Sequence, residues 1–336
     1  MSNRSRDSAH THYWQLNTEH TQSRYSYLGW DDIVRRHWAR GWLAILGDLV
    51  CFLQAYVFSG KVVRFAKASP KQLMAGLYPA VYLLLCLLLS GWLATHSAGQ
   101  LPWAYAQLPA GLVLFLLLMH ASKHLGNKLA VFWLLRIYAF SARWAKGQIS
   151  ELGPRIDRFA EQMANAINDD TNDEVVVIAH SVGTMVVVPA LAQALQKIHS
   201  PEKLANQRVV LITLGHCIPL LSFHAAAADF RASLQCLGQN EQLLWLDYTA
   251  PTDGACFPLL NPVTSCGQRC APNAGPHLLS PRFFTLYRPA RYKKLRRAWY
   301  TMHFLYLMAT DKPGPYDFFA FTAGPEAISS QLKEQL

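Results

Sequence analysis

The feature that most constrains this chain is a stretch from Gln72 to Ser122 that contains no Asp, Glu, Lys or Arg. Two apolar runs lie inside it, Leu73 to Thr95 and Leu101 to His120. About 20 residues, each rising 1.5 Å in a helix, cross the ~30 Å hydrocarbon core of a bilayer. Two buried helices of a soluble domain usually keep a polar stripe, which these runs lack. Because residues 96–100 leave only a short link, we expect an antiparallel transmembrane hairpin.

Positive charges flank this hairpin on both outer sides and are missing from its link. Since positive residues are retained on the cytoplasmic side, both larger parts of the chain are predicted to face the cytoplasm from an inner membrane with two spans. The first ~30 residues are polar and carry no signal-peptide core, and seven cysteines, an odd number, fit a reducing compartment. The flanking charges are Lys61, Arg64, Lys67 and Lys71, then Lys123, Lys128, Arg136, Arg143 and Lys146.

A second pattern, from Asp173 to Gly183, combines a polar loop, a β-branched run and a serine between small residues. Such a serine also occurs by chance, but a strand before it and a helix after it are typical of a nucleophile elbow. There a buried strand turns sharply into a helix and exposes the serine Oγ at the carboxyl edge of a sheet. We expect Ser181 to be the nucleophile. Ala179 and Gly183 are expected to be small because larger side chains would collide with the returning helix.

Strands and helices alternate around this serine, which predicts an α/β fold with a parallel sheet. The predicted strands are 24–29, 134–140, 208–215 and 242–248, and the predicted helices are 150–167, 184–198 and 225–237. The hairpin is then an insertion within the α/β domain. We therefore divide the chain into an N-terminal part with an amphipathic helix (1–70), the hairpin (71–122, with spans at about 73–95 and 101–120) and the main α/β part (123–336).

From about Leu134 to Pro325 the chain resembles the α/β-hydrolase superfamily, whose nucleophile, acid and histidine follow in that order. The resemblance implies an acid in the loop after a later strand. Asp253 fits this position better than Asp247, which lies within the strand. The histidine follows later still, where His303 is favoured over His277, because a His followed three residues on by Tyr resembles the end of lipase-type hydrolases.

Three short strings resemble, more specifically, a bacterial group of predicted membrane-associated hydrolases. They are Trp30-Asp31-Asp32-Ile33-Val34-Arg35, Ala250-Pro251-Thr252-Asp253-Gly254 and His303-Phe304-Leu305-Tyr306-Leu307. The resemblance implies a membrane-anchored serine hydrolase that cleaves an ester or other acyl bond, of a lipid given the anchor, through an acyl-enzyme. No metal or organic cofactor is expected for this chemistry.

Only one of the two expected oxyanion donors can be assigned from the sequence. The elbow supplies the Val182 backbone N–H as an oxyanion donor, but nothing before Arg24 resembles the early strand whose loop gives the second one. A polar side chain or another amide supplies it, or the chain begins inside the domain. Loss of one such donor costs on the order of 10² to 10³ in turnover. A catalytically inactive hydrolase-fold membrane scaffold is therefore the alternative function.

The net charge of +10 requires a partner for the basic excess, and we expect membrane lipids with anionic headgroups besides the acyl substrate. A second basic cluster follows residue 287, for which a solvated helix face is the alternative. Nucleic acid is not expected, because no recognition module accompanies the cluster. The spacing of Cys256, Cys266, Cys270 and His277 is poor for structural zinc, so free cysteines are expected. The cluster comprises Arg288, Arg291, Lys293, Lys294, Arg296 and Arg297.

Overall fold

A computed structural model describes residues 2, 4–8, 10–19, 21–38, 41–199 and 208–333. The chain forms two compact units, one of residues 1–37 together with 143–336, and one of residues 38–142. The first unit is thus discontinuous in sequence, and residues 38–70 belong to the same unit as the predicted hairpin.

The described strands form a three-stranded antiparallel sheet and a four-stranded parallel sheet. The antiparallel sheet has the order β1-β2-β3 and the parallel sheet the order β4-β5-β6-β7. The strands are β1 (Ser5–Ser8), β2 (Thr11–Asn17), β3 (Gln22–Leu28), β4 (Val175–His180), β5 (Val209–Leu214), β6 (Leu243–Tyr248) and β7 (Pro276–Leu279).

The α-helices include two long ones in the second unit and several short ones after β7. They are α1 (Asp31–Arg36), α2 (Trp42–Phe52), α3 (Lys61–Ala68), α4 (Pro70–Gly99), α5 (Ala104–Lys128), α6 (Val131–Ala145), α7 (Leu152–Asn168), α8 (Gly183–Gln196), α9 (Pro219–Ser222), α10 (Ala228–Gly238), α11 (Phe283–Leu286), α12 (Pro289–Leu295), α13 (Trp299–Phe304), α14 (Phe318–Ala323) and α15 (Ile328–Lys333).

The parallel sheet confirms the predicted α/β class. Val175, Val209 and Leu243 begin the three neighbouring strands in register, so β4, β5 and β6 also end together at one edge. Every residue of β5 and β6 is buried. A strand covered on both faces reads as a continuous apolar run, which is why 208–215 and 242–248 were recognisable in the sequence.

The strand predicted at 134–140 is wrong, because these residues lie inside helix α6. Most side chains from Val131 to Ala145 are buried. A segment buried on nearly all sides has no polar stripe, so its periodicity does not distinguish a helix from a strand. Its length of 15 residues is helical rather than strand-like.

The segment predicted as a strand at 24–29 does form β3, but β3 pairs with β2 in the antiparallel sheet. The register runs from Thr11 opposite Leu28 to Asn17 opposite Gln22. Between them the Thr21 N–H donates to Thr18 Oγ1 over 3.0 Å, which closes a short turn. Strands joined so closely pair with each other, since antiparallel neighbours need only a short connection.

A partly buried ion pair ties the N-terminal segment to helix α7. Arg155 is almost fully buried and contacts both carboxylate oxygens of Asp32, with Nη1–Oδ1 and Nη2–Oδ2 distances of 2.8 and 3.0 Å. Arg155 Nη1 also donates to Gly29 O over 2.6 Å. The hydrogen bond with Arg155 is the main reason that the pKa of the Asp32 carboxyl lies well below its ordinary value.

We expect Asp32→Asn to lower the free energy of unfolding by about 2 kcal/mol, since it leaves the Arg155 charge buried and only partly compensated. This figure is below that for a fully buried pair because the Asp32 side chain is 30 % exposed. A depressed carboxyl pKa contributes stability above the unfolded value of about 3.9, and this contribution is lost as the pH falls. Thermal unfolding from pH 7 to pH 3 should therefore show a weaker acid dependence in the variant.

Asp31→Asn is the matched control for this prediction. Asp31 pairs only with Arg35 four residues on, and both side chains are largely exposed. Exposed pairs of this kind contribute about 0.3–0.5 kcal/mol. Equal losses in the Asp31 and Asp32 variants would contradict the anchoring role of Asp32.

The second unit contains two helices long and apolar enough to cross a membrane, α4 with a mean hydropathy of 2.1 and α5 with 1.6 over their most apolar windows. Both continue through their internal prolines, Pro79 and Pro109. They pack antiparallel: Tyr82 Oη donates to Ser122 O over 2.7 Å near one end, and Gly111 approaches Ala98 near the other.

The predicted spans were shorter than these helices. The first helix begins at Pro70, where Ser69 Oγ accepts a hydrogen bond from Gln72 N–H over 3.3 Å and caps the helix. The second extends to Lys128, past the end of its apolar run. The prediction of two long apolar helices is confirmed. The start of the first helix and the end of the second lie in polar sequence outside the predicted spans.

Candidate active site

Ser181 lies in a sharp turn between strand β4 and helix α8. Its φ of +56° is in the left-handed region that non-glycine residues rarely adopt. The Ser181 N–H donates to Leu214 O of β5 over 2.9 Å, and the Ser181 carbonyl accepts a hydrogen bond from Thr184 N–H over 3.1 Å. The predicted strand, turn and helix therefore all occur, and they position the serine at the carboxyl edge of the sheet.

The predicted reason for a small residue at Gly183 is wrong. Apart from its chain neighbours and the backbone of its own helical turn, a Cβ added to Gly183 would meet no atom within 4 Å. The close approach occurs at Gly215 instead, the residue after β5, whose φ is +54°. A Cβ there would lie 2.9 Å from the Tyr306 ring and 3.3 Å from Asp253 Oδ2. A glycine is thus required at position 215, where the chain leaving β5 passes close to Tyr306 and Asp253.

The structure brings the three predicted catalytic side chains into one hydrogen-bonded row. His303 Nε2 lies 2.7 Å from Ser181 Oγ, and His303 Nδ1 lies 2.8 Å from Asp253 Oδ2. Asp253 lies in the segment after β6, and His303 is the penultimate residue of α13. All three residues are buried, with Ser181 8 % exposed.

The surroundings of Asp253 keep its carboxyl ionised. Burial alone would raise the pKa of Asp253, but the electrostatic interaction with His303 and hydrogen bonds from His303 and the Ala255 N–H outweigh burial, so the pKa is lowered. The Ala255 N–H donates to Oδ1 over 2.9 Å. An ionised carboxylate only accepts hydrogen bonds, so His303 Nδ1 carries the proton and Nε2 accepts from the Ser181 hydroxyl.

Tyr306 connects this acid to the end of β6, a role that sequence reasoning missed. Its hydroxyl donates to Asp253 Oδ2 over 3.1 Å and accepts a hydrogen bond from the Ala250 N–H over 2.8 Å. Tyr306 follows His303 by three residues, so the two side chains share one helical face. The His-x-x-Tyr spacing was noticed in the sequence, and its geometric meaning is this second contact to the acid.

His180 holds the backbone of the predicted base. Its Nε2 lies 2.7 Å from His303 O, and the two imidazole rings are 4.8 Å apart. Burial is the main reason that the pKa of His180 is lowered to about 4. At neutral pH the His180 ring is therefore uncharged and donates from Nε2 to the carbonyl of His303.

Cys217 lies beside the nucleophile, and its position was not predicted. Its Sγ is 3.8 Å from Ser181 Oγ and 3.3 Å from Ala255 O. Burial raises the pKa of the Cys217 thiol to about 12, so it is protonated and packs as a small neutral group. The parallel register, which pairs His180 with Leu214, is the signal that places the residues after β5 next to Ser181.

The alternative acid and histidine lie elsewhere. Asp247 Oδ1 accepts a hydrogen bond from Thr213 Oγ1 over 2.6 Å, and its Oδ2 lies 3.7 Å from His216 Nε2. Burial raises the pKa of Asp247. His277 lies within β7, in register with Leu246, at the far end of the sheet from β4. The geometry therefore favours Asp253 and His303.

Val182 immediately precedes the first residue of α8. Backbone N–H groups at a helix N-terminus have no acceptor within the helix and favour negative charge. The sheet begins at β4, and in the described residues no strand pairs with its other edge. Among the described residues the sheet thus has no further strand that could carry the second oxyanion donor, and no residue is assigned to that role.

The basic cluster lies on and around helix α12, none of whose residues is buried. Arg291 is paired with Asp311, which also accepts a hydrogen bond from the Arg288 N–H over 3.0 Å. The seven cysteines are all free.

Comparison with protein-family models, curated proteins and solved structures finds no match to this chain, so the functional conclusion depends on the site geometry.

Proposed function

We propose that this chain is a membrane-anchored serine hydrolase of the α/β-hydrolase type that cleaves an ester or other acyl bond of a lipid. One observation carries the proposal: the Ser181–His303–Asp253 row, with distances of 2.7 and 2.8 Å, at the carboxyl edge of a parallel sheet. This order of nucleophile, acid and histidine is that of α/β-hydrolases. The left-handed Ser181 backbone supports the same assignment, because strained residues concentrate at functional sites.

The reaction begins when Ser181 Oγ attacks the acyl carbonyl carbon while His303 Nε2 takes the hydroxyl proton. The ionised Asp253 stabilises the resulting imidazolium, and the Val182 N–H donates to the oxyanion. The carbon–oxygen bond to the alcohol breaks, and the alcohol leaves with the proton from Nε2. Water then loses a proton to His303 and attacks the acyl-enzyme, which releases the carboxylic acid and regenerates Ser181.

Helices α4 and α5 supply the proposed membrane anchor. Their flanking positive charges favour a cytoplasmic position for both larger parts of the chain. An anchor in the same chain tethers Ser181 near a bilayer, which makes a lipid ester the favoured substrate. The exposed basic cluster supports an interaction with anionic headgroups, each exposed charge contributing about 1 kcal/mol near such a surface.

A fluorophosphonate probe tests the proposal, since it labels only an activated serine. Detergent-solubilised wild type should be labelled, and Ser181→Ala should not. Ser233→Ala is the matched control, because the Ser233 hydroxyl bonds Asp229 O in helix α10; its labelling should equal that of wild type. Absence of labelling in folded wild-type protein would instead support the inactive scaffold, which the single oxyanion donor favours.

A further inference from the structure

Helices α2 and α3 form a bent pair that the two-span interpretation leaves unexplained. A π-helical turn (Leu53–Val57) extends α2, and the axis then turns by 76° into α3. The bend occurs at Gly60, whose φ is +73°. Lys61 Nζ donates to Ala55 O over 3.0 Å and so satisfies a carbonyl at the end of the first arm. The Gly60 backbone and the Lys61 hydrogen bond therefore stabilise the turn between α2 and α3.

Aromatic packing fixes this bend within the second unit. The Tyr56 ring contacts those of Phe65 and Tyr138 edge-on at 5.5 and 5.2 Å. Tyr56 Oη donates to Tyr138 O over 3.1 Å, and Tyr138 Oη donates to Gln72 O over 2.8 Å. The bent pair is thus packed against α4 and α6, which places it beside the hairpin.

Much of the exposed surface of α2 and of the turn that follows it is apolar. Large side chains are exposed along it, up to 87 % for Leu43 and 77 % for Phe58. Large apolar side chains exposed this fully and this close together in the sequence are uncommon on soluble surfaces, where clusters of them mark interaction sites. The leucines of α4 are exposed in the same way, so one apolar environment suits both. The exposed large apolar residues of the bent pair are Leu43, Leu46, Val50, Phe58 and Val63.

The first arm is too short to cross a bilayer. Residues 42–57 span about 24 Å as a helix, against a hydrocarbon core of ~30 Å. The acidic residue within the arm, Asp48, is buried and interacts electrostatically with the buried Arg136 of α6. A charge compensated inside the protein is compatible with membrane depth, since intramembrane charges face protein partners rather than lipid.

Both ends of the bent pair are basic. Arg35 and Arg36 precede it, and Lys61, Arg64 and Lys67 lie on α3. Spacings of three residues put the α3 charges along one side of the helix, where Arg64 and Lys67 are exposed. Since positive residues mark the cytoplasmic side, both ends belong on the same side, and the exposed apolar side chains between them place the segment inside that leaflet.

We infer that α2 and α3 form a re-entrant membrane element, in which α2 enters the cytoplasmic leaflet and α3 lies along its anionic headgroups. The apolar surface of α2 then contacts acyl chains, and the basic face of α3 contacts lipid phosphates. The inference depends on the membrane anchor of the proposed function but on no part of the catalytic row.

Cysteine accessibility tests the inference in the full-length protein. The background replaces the partly exposed Cys51, Cys86, Cys236 and Cys270 by alanine, and the other three cysteines are buried. Single cysteines are then introduced by Asp31→Cys and Lys71→Cys at the two ends, Leu46→Cys within α2, and Gln100→Cys in the hairpin link. Each is treated with a membrane-impermeant maleimide in spheroplasts and in inverted vesicles.

We expect Asp31→Cys and Lys71→Cys to label only in inverted vesicles, and Gln100→Cys only in spheroplasts. Leu46→Cys should label from neither side until detergent is added. Labelling of Asp31→Cys and Lys71→Cys from opposite faces would overturn the inference in favour of a third span. Labelling of Leu46→Cys in intact vesicles would place α2 in water and also overturn it. Complete extraction of the protein by alkaline carbonate would instead refute the membrane anchor itself.

Discussion

The His303→Ala variant is expected to lose on the order of 10⁶ in kcat on an activated ester, as occurs when the base of a serine hydrolase triad is removed. His303 Nε2, 2.7 Å from Ser181 Oγ, is the only described group within hydrogen-bonding distance that accepts the hydroxyl proton; the protonated Cys217 thiol does not. The measurement is steady-state turnover of a short-chain p-nitrophenyl ester, with fluorophosphonate labelling as a second readout. Both signals should fall to the background of Ser181→Ala.

His277→Ala is the matched control for the base. His277 lies on β7, three strands from β4, or roughly 14 Å at about 4.8 Å per strand. It is too far to exchange a proton with Ser181, so turnover should stay close to that of wild type. The assignment fails if His303→Ala remains folded and active, or if His277→Ala loses activity to the same extent.

The Asp253→Asn variant is expected to lower kcat by about 10⁴. The asparagine NH₂ donates hydrogen bonds where the carboxylate accepted one, so His303 Nδ1 loses its proton and Nε2 gains it. In that tautomer Nε2 no longer accepts the Ser181 proton. Turnover is measured as for His303, and a thermal melt checks that the buried substitution has not unfolded the protein.

Asp247→Asn separates the two candidate acids. The asparagine carbonyl still accepts the hydrogen bond from Thr213 Oγ1. The described partners of the Asp247 carboxylate, Thr213 and His216, do not belong to the Ser181–His303–Asp253 row. We expect turnover close to wild type. A larger loss at Asp247 than at Asp253, in folded proteins, would reverse the assignment of the acid.

Local sequence patterns were sufficient for the serine turn and for the two long apolar helices. Ser181 was recognisable because its strand, turn and helix are consecutive in the chain. The two helices were recognisable because no charge interrupts Gln72 to Ser122. Chain order then selected Asp253 and His303, and the fold brings them to Ser181 although His303 is 122 residues away.

Features that depend on contacts between distant strands were not predictable in the same way. Gly215 and Cys217 lie beside Ser181 only because β5 pairs with β4 in a particular register. The antiparallel strands β1 and β2 were missed, because neither has the apolar run of a core strand and most side chains of β2 are only half-buried. Helix α6 was misread because its burial is nearly uniform along its length.

The discontinuity of the first unit imposes an order of events during synthesis. Thr11 bonds Gln162, and Asp32 bonds Arg155, so residues 1–37 find these partners only after the inserted unit has been translated. At about 5–20 residues per second the insertion takes roughly 5–20 s to synthesise. By then the proposed spans have already left the ribosome, and Ser181 emerges later still. The N-terminal sheet therefore completes its contacts with helix α7 only after the whole second unit has been synthesised.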